Sequence, residues 1–314
     1  MTVEKSVKVL SYVHKCCPTY ITEVEKSEGR RKNMQTRQQA GIVCCSDGLT
    51  ENQGEVVQKL RETLYQMNVS VIMSPYLYQG TGTAKQKAQA LMALYENDEI
   101  HDIFDISGGD LANELLPYLD YQRIADSGKI FWGYSDLTSI LNGIYSKTGN
   151  PGVLYQLRNL MGACGKEQRE TFYQMLERDG DNLFRFPYRF IQGTEMKGVV
   201  IGGNIRCLLK LAGTDYFPDC HDKILLLESL SGGMSRITAY FSQLQQMGVF
   251  DKCAGVLLGT FTQLEQEHGT DAAVGLLQRF VRSDLPIAKT QQIGHGADSK
   301  AIMIGRSMCL SVQK

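Results

Sequence analysis

A carboxylate and a histidine occupy positions in this sequence where hydrolytic enzymes keep their catalytic groups. Glu228 directly follows the apolar run 224–227, which predicts a carboxylate at the end of a buried strand. His295 lies between two glycines in a loop, so a partner can approach it closely. A carboxylate that orients a histidine is the recurrent support for a Ser or Cys nucleophile. A surface acid and a solvated loop histidine are the plainer interpretations, and the residues alone leave both open.

A glycine-rich turn at 105–117 is the third candidate site. An apolar run leads into Gly108-Gly109 and then into a short helical pattern, which predicts strand, tight turn and helix. Paired glycines let the backbone approach a ligand, and free N–H groups at a helix start stabilise an oxyanion. Ala112 occupies the position at which this turn would carry a nucleophile.

Regular alternation of strands and helices begins at Gly41 and positions that turn. Such alternation predicts a parallel sheet with helices on both faces, and ligands collect at the carboxyl ends of its strands. The predicted strands are 41–45, 69–73, 103–106 and 129–132, and the predicted helices are 54–67, 84–97 and 136–147.

The length of 314 residues favours two domains. We expect an α/β protein with an N-terminal Rossmann-like parallel sheet domain, a smaller C-terminal α/β domain and an active site in the interdomain cleft. Residues 1–40 are predicted to be a polar arm that docks on the body or stays mobile, and the polar segment 166–183 to be a linker. The domains then cover 41–165 and 184–314.

The C-terminal domain carries Glu228 and His295 in a less regular pattern. Strands are predicted at 184–190, 199–201, 223–227 and 254–258, helices at 234–247 and 271–281, and a hairpin-like end at 301–312.

Composition narrows the class of protein. A hydrophobic fraction of 43% and a formal net charge of −1 are typical of a soluble globular protein, and argue against nucleic acid or an anionic membrane as partner. No apolar run reaches membrane-spanning length, and residues 1–20 lack the apolar core of a secretory signal. Nine irregularly spaced cysteines indicate reduced thiols in a cytoplasm.

Two cysteine pairs raise further possibilities. Cys16-Cys17 beside His14 suggests a metal site, but no second ligand pair follows at suitable spacing, so we expect no metal. Cys45 ends a strand and is either a reactive thiol or a buried small hydrophobe.

Five motifs in order resemble those of the LD-carboxypeptidase and microcin C self-immunity peptidases, over roughly residues 41–312. They are Gly108-Gly109 followed by Leu115-Leu116, Gly133-Tyr134-Ser135-Asp136-Leu137-Thr138, Gly202-Gly203-Asn204, Leu226-Leu227-Glu228 and Gly294-His295.

The resemblance implies a cytoplasmic, homodimeric serine carboxypeptidase without a cofactor. Its ligand would be a murein-type peptide or a peptidyl or aminoacyl nucleotide such as microcin C, hydrolysed at a C-terminal amide. Glu228 would orient His295, the general base, and the nucleophile position would fall on Ala112. Backbone N–H groups near Gly109, Asp110 and Asn113 would form the oxyanion hole.

Ala112 would leave the chain nearly inert, because loss of a triad nucleophile costs about a millionfold in turnover. Leu111 and Asp110 also depart from the family pattern, which favours natural loss over an engineered Ser-to-Ala exchange. Other groups could replace the missing nucleophile. Ser107 should point away from the site, and Ser135 should cap the following helix. A nucleophile role for Asp110, or attack by a bound water, is the least favoured alternative. The alternative function is a non-enzymatic peptide- or nucleotide-binding protein on the same scaffold.

The segment 149–197 is expected to carry specificity. Its polar and aromatic side chains either bind a carboxylate, phosphate or base or are ordinary surface and packing residues. They are Arg158, Arg169, Tyr173, Arg185, Tyr188 and Arg189.

Overall fold

The structure is a computed structural model that describes residues 11–12, 38–177 and 180–312. In chain order the strands are β1 (Ser11–Tyr12), β2 (Gln38–Val43), β3 (Val69–Met73), β4 (Ile100–Asp105), β5 (Ile130–Gly133), β6 (Gly152–Leu154), β7 (Pro187–Gln192), β8 (Glu195–Asn204), β9 (Lys223–Ser229), β10 (Gly255–Phe261), β11 (Ile287–Lys289), β12 (Ile302–Ile304) and β13 (Ser307–Ser311).

The α-helices alternate with these strands. They are α1 (Gly54–Gln66), α2 (Ala84–Glu96), α3 (Tyr121–Ser127), α4 (Thr138–Thr148), α5 (Gly165–Leu176), α6 (Ile205–Leu209), α7 (Met234–Gln246), α8 (Val249–Lys252), α9 (Thr262–His268) and α10 (Ala272–Leu277). Short 3₁₀ helices cover Glu51–Gln53, Ala112–Tyr118, Ser135–Leu137, Leu157–Met161 and Asn182–Phe184.

The strands form two sheets. The first has the order β12-β6-β5-β4-β2-β3, in which only β12 runs antiparallel to its neighbour. The second has the order β1-β7-β11-β10-β9-β8-β13, with β8 to β11 parallel and antiparallel strands at both edges. The predicted α/β fold with a Rossmann-like N-terminal sheet is confirmed. In the described residues the second sheet has seven strands against six in the first.

Three hydrophobic cores hold the sheets and helices together. One lies on the outer face of the first sheet and includes Trp132, and another lies on the outer face of the second sheet and includes Phe241. The third contains side chains of both sheets, such as Ile103 and Leu226, and joins the two units. Strands buried on both faces carry continuous apolar runs, as in β9, where residues 224–227 are all apolar and buried.

One prediction of local structure is wrong. The stretch 301–312 is not a hairpin, because β12 pairs with β6 of the first sheet while β13 pairs with β8 of the second. The predicted linker 166–183, which stays a prediction, contains most of helix α5, and one face of this helix buries Phe172 and Met175.

The ends of the chain are described in part. In the predicted arm, β1 pairs antiparallel with β7 of the second sheet. His14, Cys16 and Cys17 lie outside the described residues. None of the described helices is long and apolar enough to cross a membrane.

Candidate active site

A sharp turn between β5 and α4 presents the hydroxyl group of Ser135. The strand ends at Gly133, and Ser135 adopts a φ of +54°, which is rare for a residue other than glycine. A Cβ atom at Gly133 would lie 2.6 Å from Cβ of Leu137, so only glycine allows the helix to follow so closely. Strained strand-to-helix turns of this kind carry exposed nucleophiles in α/β hydrolases.

The imidazole of His295 contacts this hydroxyl group and a buried carboxylate. Its Nε2 lies 3.2 Å from Oγ of Ser135, and its Nδ1 lies 2.7 Å from Oε2 of Glu228. The ring also packs on Tyr134, with 4.5 Å between ring centroids. The side chain of Glu228 is fully buried and that of His295 is 7% exposed. The predicted pairing of Glu228 with His295 is therefore present, with a serine as third member.

Each partner reaches this point from a different element. Glu228 lies near the end of β9, where it pairs with Asn204 of β8. His295 lies in the loop after β11. Hydrogen bonds within the loop hold its shape, such as the one that the N–H of Lys300 donates to the Gln292 carbonyl. A Cβ atom at Gly294, which has a φ of +141°, would lie 2.0 Å from Oγ1 of Thr260, so the loop needs glycine there.

His295 contacts Ser135 and Glu228, and the assignment of Ala112 to the nucleophile position stays a prediction. Ala112 is fully buried in the core between the sheets, where a substrate has no access to its methyl group. Its N–H donates to Oδ2 of Asp136 at 2.8 Å. The prediction that Ser135 caps a helix is wrong, because no side-chain hydrogen bond caps either the 3₁₀ helix that begins at Ser135 or helix α4 after it.

Sequence reasoning missed Ser135 although a signal was present. Gly133-Tyr134-Ser135 stands between a predicted strand and a predicted helix, the same local order as the Gly108-Gly109 turn. The two turns differ in burial and in the residues that face them. Neither property can be seen in the local sequence pattern.

The predicted oxyanion turn is tied to other side chains. The N–H of Asp110 donates to Oδ1 of Asp47 at 3.2 Å. The carboxylate of Asp110 pairs with Arg206, whose Nη2 also donates to the Gly109 carbonyl at 3.2 Å. Asn113 lies within the 3₁₀ helix Ala112–Tyr118. The charge of Asp110 is thus offset by a cation from the second unit.

Asp136, next to Ser135, anchors the turn from within. Its carboxylate is fully buried and accepts hydrogen bonds from Oγ of Ser46 at 2.7 Å and from Ala112 N–H. It also forms an ion pair with Nζ of Lys210 at 2.5 Å, and Lys210 follows α6 in the second unit. A buried charge needs such partners, so Asp136 fixes Ser135 to both units.

Two other candidate nucleophiles are buried. Ser107 is fully buried and donates to Oδ1 of Asp105 at 2.6 Å. Cys45 is 1% exposed, and burial raises the pKa of its thiol well above the ordinary value. The reactive-thiol interpretation of Cys45 is therefore wrong, since neither the thiolate nor access to it is available.

Most of the predicted specificity residues are bound to the protein itself. Arg169 donates to the Leu160 carbonyl at 2.6 Å, and the hydroxyl group of Tyr188 donates to the Ser311 carbonyl at 2.8 Å. The remaining side chains are Arg185, paired with Asp181, Arg189, paired with Asp271, Tyr173, which is exposed, and Arg158, whose Nε is buried without a hydrogen-bond partner among the described residues.

Comparison with known proteins agrees with this architecture. Residues 40–156 match the model of the LD-carboxypeptidase N-terminal domain, and residues 197–310 match that of the C-terminal domain. The Microcin C7 self-immunity protein MccF of Escherichia coli is 30% identical over 57% of this chain and 61% of its own length. The probable murein peptide carboxypeptidase of Bacillus subtilis is 24% identical over 73% of this chain and 75% of its own length.

Solved structures show the same fold. MccF in complex with glutamyl sulfamoyl guanosine superposes with a TM-score of 0.77 at 21% identity, over 88% of this chain and 97% of that one. The MccF-like protein of Bacillus anthracis superposes with a TM-score of 0.75 at 24% identity, over 90% of this chain and 96% of that one. With both of its domain models matched in order along one chain, this protein belongs to the LD-carboxypeptidase family.

Proposed function

We propose that the protein is an active serine carboxypeptidase that hydrolyses the amide bond before the C-terminal residue of a small peptide. The observation that carries this proposal is the contact of His295 with Ser135 on one ring nitrogen and with Glu228 on the other. A hydroxyl group, a base and an orienting carboxylate in series are the parts of a nucleophilic triad.

The geometry supplies each proton transfer. Ser135 Oγ attacks the substrate carbonyl carbon while Nε2 of His295 takes its proton. The Glu228 carboxylate accepts a hydrogen bond from Nδ1–H, which fixes the imidazole tautomer and stabilises the imidazolium that forms. His295 then protonates the leaving amine nitrogen, and a water attacks the acyl-enzyme with the same histidine as base.

The developing oxyanion needs backbone donors close to Ser135. The N–H of Asp136 stands in the first turn of a 3₁₀ helix, where it has no acceptor within the helix. We assign it as one donor and the N–H of Gly109 as the other. Asp110 N–H is removed from the predicted set because Asp47 already accepts from it.

The proposed substrate class is a murein-type peptide, supported by relatives named as murein peptide carboxypeptidases. A second candidate, cleavage of an aminoacyl nucleotide such as microcin C, is supported by the similarity to MccF. The alternative, a non-enzymatic binding protein on the same scaffold, is less favoured because Ser135 offers a hydroxyl group to His295. We also propose a homodimer in the cytoplasm, on the strength of the family and the cysteine pattern.

A pair of single substitutions tests the proposal. Ser135→Ala should lower turnover of a murein tetrapeptide by a factor of about 10⁴ to 10⁶ while the circular dichroism spectrum stays unchanged. Ala112→Ser, its matched control, should not raise turnover, because the new hydroxyl group would be buried. The measurement is release of the C-terminal amino acid, with a peptidyl adenylate assayed in parallel. A Ser135→Ala enzyme that retains turnover, or an Ala112→Ser enzyme that gains it, contradicts the assignment.

A further inference from the structure

Unpaired polar atoms cluster beside the catalytic turn. In the described part of the chain, five buried side-chain atoms have no hydrogen-bond partner: Gln156 Oε1, Arg158 Nε, Asn159 Nδ2, Glu228 Oε1 and Thr260 Oγ1. Three of them fall within the four residues 156–159, and the other two lie in the catalytic carboxylate and against the His295 loop. Such atoms cost about 1–3 kcal/mol each when left unpaired, so a group of them points to a missing ligand.

Sheet register places this segment next to Ser135. Strands β5 and β6 run parallel, with Gly133 opposite Leu154, and Tyr155 N–H donates to the Gly133 carbonyl at 2.9 Å. Ser135 and Gln156 therefore each follow, by two residues, the paired ends of neighbouring strands, and such strands lie about 4.8 Å apart. Arg158 and Asn159 follow at once in the 3₁₀ helix Leu157–Met161, at the same edge of the sheet.

Arg158 lies near the ends of three strands of the first sheet. Burial raises the pKa values of Cys44, after β2, and of Tyr134, after β5, and the charge of Arg158 partly opposes both shifts. Arg158 also interacts with the charge of Asp105 at the end of β4. The Asp105 carboxylate is already taken by Ser107 and by Cys45 N–H. No ion pair within the described ranges includes Arg158. A guanidinium group stays charged in proteins, so the Arg158 side chain is available to bind an anionic ligand.

We propose that Gln156, Arg158 and Asn159 form the subsite for the C-terminal residue of the substrate. Arg158 and Asn159 donate hydrogen bonds to its free carboxylate, and Oε1 of Gln156 accepts one from the N–H of the scissile amide. The inference rests on the proposed function, since it names the group that makes the enzyme a carboxypeptidase.

The chemistry of the three side chains matches that residue. In a C-terminal residue the carboxylate and the amide N–H are separated by one carbon atom, so two donors and one acceptor within four residues suit both groups. A peptide that continues past this point brings a neutral amide to the cation, which leaves the guanidinium without its anion. The subsite thereby selects against cleavage inside a chain.

Binding to an inactive enzyme tests the subsite without catalysis. In the Ser135→Ala background, calorimetry compares a murein tetrapeptide with a free C-terminal carboxylate and the same peptide with a C-terminal carboxamide. Adding Arg158→Gln should weaken binding of the free acid about 10- to 150-fold, the range for a charge-assisted hydrogen bond, and that of the carboxamide less than about threefold. Arg158→Lys should restore part of the difference.

Two controls separate recognition from folding. Arg185→Gln removes a guanidinium paired with Asp181 at the surface, so it should change neither affinity. Arg158→Gln should leave the melting temperature of the ligand-free protein unchanged or raise it, because burial of the guanidinium outweighs its attraction to Asp105 and lowers its pKa. A structural arginine would lower it.

A small probe makes the test independent of peptidase activity. D-Alanine carries the same carboxylate, and its binding to the protein with Ser135 in place should require Arg158. The inference is overturned if free acid and carboxamide respond alike to Arg158→Gln, if no probe binds, or if only AMP binding depends on Arg158. Hydrolysis that needs Ser135 but not Arg158 rejects the subsite alone. Binding that needs Arg158 without any hydrolysis rejects the proposed function alone.

Discussion

His295 is the residue on which two units of the molecule converge, and its orientation is set by a carboxylate that water does not reach. Glu228 is fully buried at the end of a parallel strand, so its hydrogen bond to Nδ1 is not weakened by solvent. Ser135 adds a strained backbone, which costs roughly 1–3 kcal/mol and persists only because its surroundings enforce it. The buried ion pair of the adjacent Asp136 is one such restraint.

Exchange of Glu228 for glutamine tests the orienting role. The amide has nearly the same shape, but its NH₂ group donates to Nδ1 and leaves the proton on Nε2, where the base must be free. We expect Glu228→Gln to lower kcat by about 10³- to 10⁴-fold with little change in KM, as in other triads. Steady-state kinetics on the tetrapeptide measure it. A loss below tenfold would show that the carboxylate does not set the tautomer.

Thiol reactivity distinguishes buried from accessible cysteines. Cys45 is enclosed, and burial raises the pKa of its thiol, so the thiolate that alkylating reagents need is suppressed at pH 8. Cys164 is only half-buried. We expect iodoacetamide to modify Cys164 in the native protein and to spare Cys45 until urea is added, as read by peptide mass spectrometry. Equal labelling of both sites without urea contradicts the burial of Cys45.

The site was predicted from sequence in part, and the reason lies in what a local pattern records. Glu228 and His295 were found because a carboxylate after a buried strand and a histidine between glycines are visible along the chain. Ser135 was assigned a capping role and Ala112 the nucleophile position. Which of the two turns contacts His295 depends on the packing of one sheet on the other, a contact between distant residues.

At the scale of elements, α6 is the connection that fixes the catalytic turns to the second unit. Lys210, directly after α6, donates to the Asp110 carbonyl at 2.7 Å and pairs with Asp136. On the neighbouring face, Asn142 of α4 exchanges two hydrogen bonds with the backbone of Gly202 in β8, at 2.8 and 2.9 Å. The short helix therefore holds the Gly109 and Ser135 turns in one position.

The two cations of this connection should differ in their contribution to stability. Lys210→Met leaves the buried Asp136 carboxylate without its counter-ion, which should lower the free energy of unfolding by about 3–5 kcal/mol. Arg206→Gln removes a pair whose acid is 64% exposed, which should cost less than about 1 kcal/mol. Urea denaturation measures both. Equal losses would mean that the Asp136 pair is open to solvent.

Local elements were predicted well where the hydrophobic period is regular. Helix α1, strand β3 and helix α7 were each predicted within about one residue of their observed bounds. Helix α5 was not predicted, because the exposed surface of this segment is polar and only a narrow face is buried. The end of the chain was taken for a hairpin because β12 and β13 are neighbours in sequence, whereas each finds its partner in a different sheet.

At the scale of the whole molecule, β12 makes the two units interdependent. The chain leaves the second unit after the His295 loop, adds a strand to the edge of the first sheet and returns to the second sheet as β13. Ile302 and Ile304 are buried in the core shared by both sheets. The first sheet is thus completed only by residues from the far end of the chain, so residues 41–165 are not expected to fold alone.

One tryptophan allows this interdependence to be measured. Trp132, the sole tryptophan of the chain, is buried in the outer core of the first sheet, while Phe241 is fully buried in the outer core of the second. Phe241→Ala should lower the free energy of unfolding by about 3–5 kcal/mol through the cavity it leaves. Because β12 and the shared core couple the units, we expect the Trp132 fluorescence transition in urea to move with the circular dichroism transition. If the fluorescence midpoint stays in place while the circular dichroism curve splits, the units unfold independently and the strand exchange does not couple them.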